Sequence, residues 1–329
     1  MSSETNTWAL VLAAGDGTRL RSLTTAASGM TVPKQFCSLY GGPSLLHEAV
    51  CRAHTVTVED RICAVVAEQH RHWWDGALWL LSPENIIVQA KNRGTGLGIL
   101  LPLLRILSCN PEAHLVLLPS DHHVRQESLL TSAIQDALEQ RDGRFQEIVL
   151  LGVRPQEPDP DLGYIVPGPS DGRGALTVER FVEKPSLVVA NELIRAGGLW
   201  NTFIVVSTGL ALLELYRKRF PEIVSVMSAA LDSDRRTGAE GTAMAELYDT
   251  LPVVDFSRDI LAEQLSDLRV LPVQPCGWSD LGTPKRVSDA LSRTPRPAQV
   301  HRMRSSVGCL SLAEQHERIR GLHGLGGAV

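Results

Sequence analysis

Long hydrophobic runs are missing from this chain of 329 residues, and no apolar segment is long enough to cross a bilayer. A basic excess is missing too: the net charge of -5 argues against a nucleic-acid binder working through a broad cationic face. The six cysteines form no C-x-x-C pair and no dense cluster, which argues against a disulfide framework and suits reduced thiols packed as small core residues. No basic region precedes Trp8, so no signal peptide is expected. The expectation is a cytoplasmic α/β protein large enough to bury a substantial core, with neither membrane nor nucleic acid as partner.

What is present is concentrated near the start. Trp8 to Ala13 is a short apolar run that reads as a buried parallel strand. It ends in Ala14-Gly15-Asp16-Gly17-Thr18-Arg19-Leu20, and Val32-Pro33-Lys34-Gln35-Phe36 follows closely. Gly15 and Gly17 let the backbone curl so that amide groups point at an anion, and Arg19 and Lys34 add two cations. The loop is not G-x-G-x-x-G, since Leu20 stands at the third glycine, and no Gly-Lys-Ser/Thr makes it a Walker loop.

These residues resemble the opening of the sugar-phosphate nucleotidyltransferases, Gly-x-Gly-Thr-Arg-Leu followed by Pro-Lys. The Lys-Gln-Phe form is closest to the mannose-1-phosphate guanylyltransferases. Ser22 departs from the proline that many relatives carry.

Strand and helix patterns alternate through the first half: a helix opened by Pro43-Ser44 with Leu45, Leu46, Ala49, Val50 and Ala53 on one face, a strand at 61–67, a helix carrying Trp73, Trp74 and Trp79, a strand at 85–89, a helix capped by Thr95, and strands at 114–118 and 147–153 around a helix at 129–138. Such alternation implies a mostly parallel sheet with ligands gathered beyond its strands' carboxyl ends. After about Pro155 the pattern shifts to a β-ribbon (163–166 and 176–183), a strand at 200–206, helices near 210–220 and 223–231, and a late strand at 269–273. The resemblance implies a Rossmann-like, mostly parallel mixed sheet flanked by helices over residues 1–292, with a nucleotide half at about 7–153 and a sugar half at about 154–292. Residues 293–329, rich in Arg, His and Gly, read as a flexible or weakly docked tail.

Pro119-Ser120-Asp121-His122 puts a carboxylate at a strand end, where it suits either a helix cap or a divalent cation. His122 and His123 lack a third zinc ligand at suitable spacing. Trp278-Ser279-Asp280-Leu281-Gly282 supplies a second carboxylate in what is otherwise turn chemistry. Asp255 and Asp259 suit surface or capping roles.

The family likeness implies that Asp121 and Asp280 together hold Mg²⁺. It implies nucleotide contacts from Ala13, Ala14, Gly15, Gly17, Thr18, Arg19, Lys34 and Ser120, and base recognition from Gln89, Arg93, Gly94 and Thr95, with Ala90 and Gly96 replacing the family's proline and alanine. On the sugar side it implies Gly163, Tyr164, Glu183, Lys184, Asn201 and Thr202, with Phe203 in the usual glycine position. Arg19, Lys34, Asp121, Lys184 and Asp280 would carry catalysis. The implied partners are a nucleoside triphosphate, GTP first, and a sugar 1-phosphate, mannose 1-phosphate first. A homodimer is admitted rather than required. There is no hexapeptide repeat of the kind several relatives append.

Overall fold

A computed structural model describes residues 6–26, 29–139, 147–170, 172, 174–238, 241–293 and 311–312. Among the described residues there are nine strands: β1 Thr7–Ala13, β2 Ile62–Ala67, β3 Ile86–Gln89, β4 His114–Pro119, β5 Ile148–Val153, β6 Gly163–Ser170, β7 Leu176–Glu183, β8 Leu199–Thr208 and β9 Leu268–Val273. The helices are α1 Arg21–Thr24, α2 Leu45–His54, α3 Arg71–Trp74, α4 Gly94–Cys109, α5 Glu127–Glu139, α6 Leu187–Arg195, α7 Gly209–Arg219, α8 Pro221–Thr237, α9 Thr242–Tyr248 and α10 Pro284–Arg293. A single π-helical turn, Phe256–Leu261, lies between α9 and β9.

The strands join in one sheet of order β3-β2-β1-β4-β8-β5-β9-β7-β6, with β6 also pairing with β8. Strands β3, β2, β1 and β4 run parallel. Beyond β4 the sheet is mixed. Strand β8 lies antiparallel between β4 and β5, and the β6–β7 ribbon folds back onto β8 and β9. The parallel rule therefore holds for β1 to β4 and for the β5–β9 pair, and fails where β8 inserts antiparallel between β4 and β5 and where β6 and β7 form a hairpin.

Alternation along the strands feeds two cores. Ala9 and Val11 of β1 and Val116 and Leu118 of β4 face α2 and α5. Leu10, Leu115 and Leu117 face α4, α7, α8 and α9 on the other side. Both faces are covered, which is why β1 and β4 read as unbroken apolar runs.

Helix α2 forms as its pattern predicts, with Ser44 accepting from His47 N at 3.2 Å and the five predicted residues buried. Two local expectations are corrected. The helix drawn through Trp73 and Trp74 ends at Trp74, and Trp79 lies 72% exposed beyond it. Thr95 does not cap α4, because the helix already begins at Gly94; the Thr95 hydroxyl instead accepts from Phe256 N at 2.9 Å. Most of the predicted tail lies outside the described residues. Ser311 and Leu312 are described, and Leu312 N donates to Ser38 O at 2.8 Å.

Candidate active site

Parallel order brings the carboxyl ends of β1, β3 and β4 to one edge, and the predicted loops gather there. They enclose a cleft of about 390 Å³ lined by Gly15, Gly17, Arg19, Gln89, Gly94, Thr95, Ser120, Asp121, Phe203 and Asp255, among others.

The glycine loop is held from beneath. Gln35, itself buried, donates through Nε2 to Ala13 O at 2.9 Å and to Gly15 O at 2.8 Å. These two bonds tie the end of β1 and the start of the loop to one buried side chain. Gly17 adopts φ +60°, and a Cβ there would lie 2.9 Å from Lys34 N, so only glycine fits. A Cβ on Gly15 would meet nothing, which leaves room for an anion beside it. Asp16 accepts from Gln69 at 2.5 Å and Asn92 at 3.1 Å, tying this loop to those after β2 and β3.

Lys34 sits at the centre. Its side chain is 4% exposed, with Nζ 2.7 Å from Asp121 Oδ2. The same nitrogen donates to the backbone oxygen of Asp280 at 2.5 Å. The two aspartate loops are also joined directly: His123 N donates to Ser279 O and Ser279 N to His123 O, each at 2.9 Å. Helix α5 starts only at Glu127, so Asp121 is not its cap.

Burial pushes the Asp121 carboxyl up, but the Lys34 ammonium, His122 and Arg19 outweigh it and hold the group below the usual carboxylate range. His122 packs edge-on against Trp278, and burial, aided by Lys34, brings its imidazole down to about 4 despite Asp121 and Asp280. It is neutral near pH 7.

Asp280 is turned differently. Its Oδ1 takes Arg286 Nη1 and Gly282 N, while Oδ2 lies 3.7 Å from the half-exposed Arg19 Nη2. Arg286 also reaches Asp159 at 3.3 Å. The chain's sequence gave no signal for Arg286, since an arginine in a helix usually faces solvent.

Among the residues expected to meet a sugar, Glu183 pairs in register with Gly163, where a Cβ would lie 2.5 Å from Glu183 Oε2. Burial first, then Asp255, raises the Glu183 carboxyl to about 7, against the pull of Lys184, Arg19 and Arg258. Lys184 adopts φ +48° and is 56% exposed, with Nζ 3.9 Å from Glu183 Oε1. Asn201 Oδ1 accepts from Phe203 N at 3.0 Å. A bulge in β8 opposite Leu150 and Gly152 puts Phe203 at φ +61°, and its ring meets Phe256 at 5.9 Å. Among the described residues, the three non-glycine positions with positive φ are Lys184, Phe203 and Leu281; the first is a predicted site residue and the other two directly follow one.

Several predicted residues spend their side chains on backbone instead of the cleft. Arg93 donates to the carbonyls of Tyr248 (2.8 Å) and Asp249 (2.9 Å). Ser120 Oγ donates to Leu12 O at 2.6 Å, and Thr202 Oγ1 to Leu151 O at 2.7 Å. Tyr164 is fully buried, its hydroxyl accepting from Asp159 N at 2.8 Å. Asp255 does cap the π-helical turn, accepting from Arg258 N at 2.9 Å, yet it also lines the cleft.

A family model described as nucleotidyl transferase matches residues 8–296. The chain belongs to the nucleotidyl transferase family. It is 30% identical over 277 residues to the xanthan biosynthesis protein XanB of Xanthomonas campestris, covering 83% of this chain and 57% of that protein. It is 29% identical over 309 residues to the mannose-1-phosphate guanylyltransferase ManC of Salmonella typhimurium, covering 89% and 61% respectively. The chain thus spans less than two thirds of the length of these relatives. A solved structure titled mannose-1-phosphate geranyltransferase, from Thermus thermophilus, superposes with a TM-score of 0.73 at 27% identity, covering 89% of this chain and 81% of its own. A Helicobacter pylori structure titled mannose-6-phosphate isomerase, at 21% identity and TM-score 0.62, shares the fold.

Proposed function

We propose that this protein transfers a nucleotidyl group from a nucleoside triphosphate, GTP foremost, to a sugar 1-phosphate, mannose 1-phosphate foremost. The observation that carries this is Lys34 Nζ joining the Asp121 carboxylate and the Asp280 backbone beside a glycine loop whose carbonyls are bound from below. The guanylyltransferase named among the relatives supports the choice of substrates.

In this reading an ionised phosphate oxygen of the sugar 1-phosphate attacks the α-phosphorus. A new P–O bond forms as the bond to the β-phosphate oxygen breaks, and pyrophosphate leaves with that electron pair. No side-chain nucleophile is needed, so the protein's work is positioning and neutralising charge. The loop amides and Arg19 stabilise the leaving pyrophosphate. Lys184 meets the sugar phosphate as a mobile point charge, and Glu183 accepts from sugar hydroxyls.

The donor set fits a divalent cation such as Mg²⁺: the Asp121 carboxyl is held below the usual range and is 36% exposed, and the hydrogen bonds of Arg286 and Gly282 fall on Asp280 Oδ1, with Oδ2 3.7 Å from Arg19. When bound, the ion would neutralise charge on the α-phosphate.

Pyrophosphate release measured with GTP, UTP, dTTP and ATP against several sugar 1-phosphates tests the proposal. GTP with mannose 1-phosphate is expected to give the highest kcat/KM. No release with any pair would overturn it.

A further inference from the structure

Gln89 ends β3 with its side chain in the wall of the cleft, and the residue as a whole is 1% exposed. Its amide nitrogen Nε2 donates to the hydroxyl of Tyr248 at 3.2 Å. That hydroxyl in turn donates to Leu97 O, at 3.5 Å. A phenol has one proton, and a carbonyl oxygen can only accept. With its proton given to Leu97, Tyr248 can only accept from Gln89, which fixes which end of the amide points at it. Burial pushes the Tyr248 phenol up to about 12, so the proton stays in place at working pH. Among the described residues no donor meets Gln89 Oε1.

The tyrosine is itself held firmly. It closes α9, and Arg93 Nε takes its backbone oxygen at 2.8 Å. Downstream, Val254 N donates to Arg93 O at 3.0 Å, and Gly96 N donates to Val254 O at 2.8 Å. Gly96 is needed for this: a Cβ there would lie 2.9 Å from Val254 O. The opening of α4 and the stretch from Tyr248 to Phe256 therefore form one stitched unit behind Gln89, and Arg93 serves that unit.

We propose that Tyr248 is a positioning residue that turns the Gln89 carbonyl oxygen toward the base and so selects triphosphates whose base carries a ring N–H on that edge. This rests on the nucleotidyltransfer reading above. Guanine and hypoxanthine present N1–H to an acceptor, whereas adenine presents a lone pair at N1. An acceptor facing that lone pair is left unpaired, and a buried unpaired polar group is what gives such sites their discrimination.

The test is kcat/KM for GTP, ITP and ATP with the wild-type protein, Tyr248→Phe and the double variant Tyr248→Phe/Gln89→Glu, alongside the Kd of inorganic pyrophosphate. Wild type is expected to favour GTP and ITP over ATP. Tyr248→Phe frees the amide to rotate, and its GTP-to-ATP ratio is expected to fall about tenfold or more while pyrophosphate Kd moves less than about twofold. The double variant is expected to regain the preference, because a carboxylate presents an acceptor in either rotation. An unchanged ratio in Tyr248→Phe overturns the proposal. So does a loss of pyrophosphate binding as large as the loss of the ratio, which would make Tyr248 merely structural. Should Tyr248→Phe not fold, Gln89→Glu and Gln89→Leu carry the test: the first is expected to keep the ratio and the second to lose it, and the reverse overturns the proposal. A wild-type protein inactive with every triphosphate would instead sink the nucleotidyltransfer reading itself.

Discussion

Lys34 Nζ lies 2.7 Å from Asp121 Oδ2 and, from the same position, donates to the backbone of Asp280. One buried ammonium thus joins two loops that the chain makes more than a hundred residues apart. Lys34→Met keeps the stem and removes the charge, leaving Asp121 beside a desolvated wall. Stability is expected to fall by about 3 kcal/mol, the low end for breaking a buried ion pair because Asp121 is partly wet. Urea unfolding midpoints at pH 7.5 check this. A variant as stable as wild type would show that the ammonium does not hold the loops together.

Gln35 is expected to matter more to the triphosphate than its burial beneath the loop suggests. Gln35→Ala strands the carbonyls of Ala13 and Gly15 and frees the loop to rotate its amides away. We expect KM for the triphosphate to rise about tenfold with a loss of about 1–3 kcal/mol in stability. Steady-state kinetics with the sugar phosphate saturating reads the effect. A change in the sugar phosphate's KM alone would contradict it.

Phe203 occupies a left-handed backbone position that costs a side chain roughly 1–2 kcal/mol. Comparing Phe203→Gly with Phe203→Ala isolates that cost, since both lose the ring's contact with Phe256. Glycine normally destabilises a folded segment relative to alanine. Here it is expected to be the more stable of the two by about 1 kcal/mol. Thermal melts of the pair decide, and an alanine variant that melts higher would refute the strain.

Glu183 gives a pH signature. Its folded carboxyl titrates near 7, above the ordinary 4.5, because burial and Asp255 disfavour the charge. Between those values the folded state binds more protons than the unfolded state, so stability falls as pH rises through this window. Glu183→Gln removes the effect. Its melting temperature relative to wild type is expected to climb between pH 4.5 and 7 and to level off above. A difference that stays flat across this range would contradict the assignment.

The site's polar anchors were legible because glycines, a Pro-Lys pair and strand-end aspartates each carry a local chemical logic. Ser44 at the head of α2 and the unbroken apolar run from Trp8 to Ala13 were equally readable. The mixed second half was not, because the pairing of β8 between β4 and β5 depends on contacts distant in sequence. Arg93, Ser120 and Thr202 show the other limit. Their side chains could serve a ligand or a backbone carbonyl equally well, and only the fold reveals that a carbonyl is within reach. Arg286 and Tyr248 gave no local signal, since each acts through a partner on a remote segment.

The central claim is that the carboxylate of Asp121 serves nucleotidyl transfer at this cleft. Single-turnover formation of the nucleotide-sugar from GTP and mannose 1-phosphate, with wild type and Asp121→Asn compared at equal folded fraction, tests it most directly. The account predicts a rate loss of about a hundredfold or more in Asp121→Asn, with its folded state confirmed by an unchanged circular dichroism spectrum. A folded Asp121→Asn protein turning over at close to the wild-type rate would contradict it.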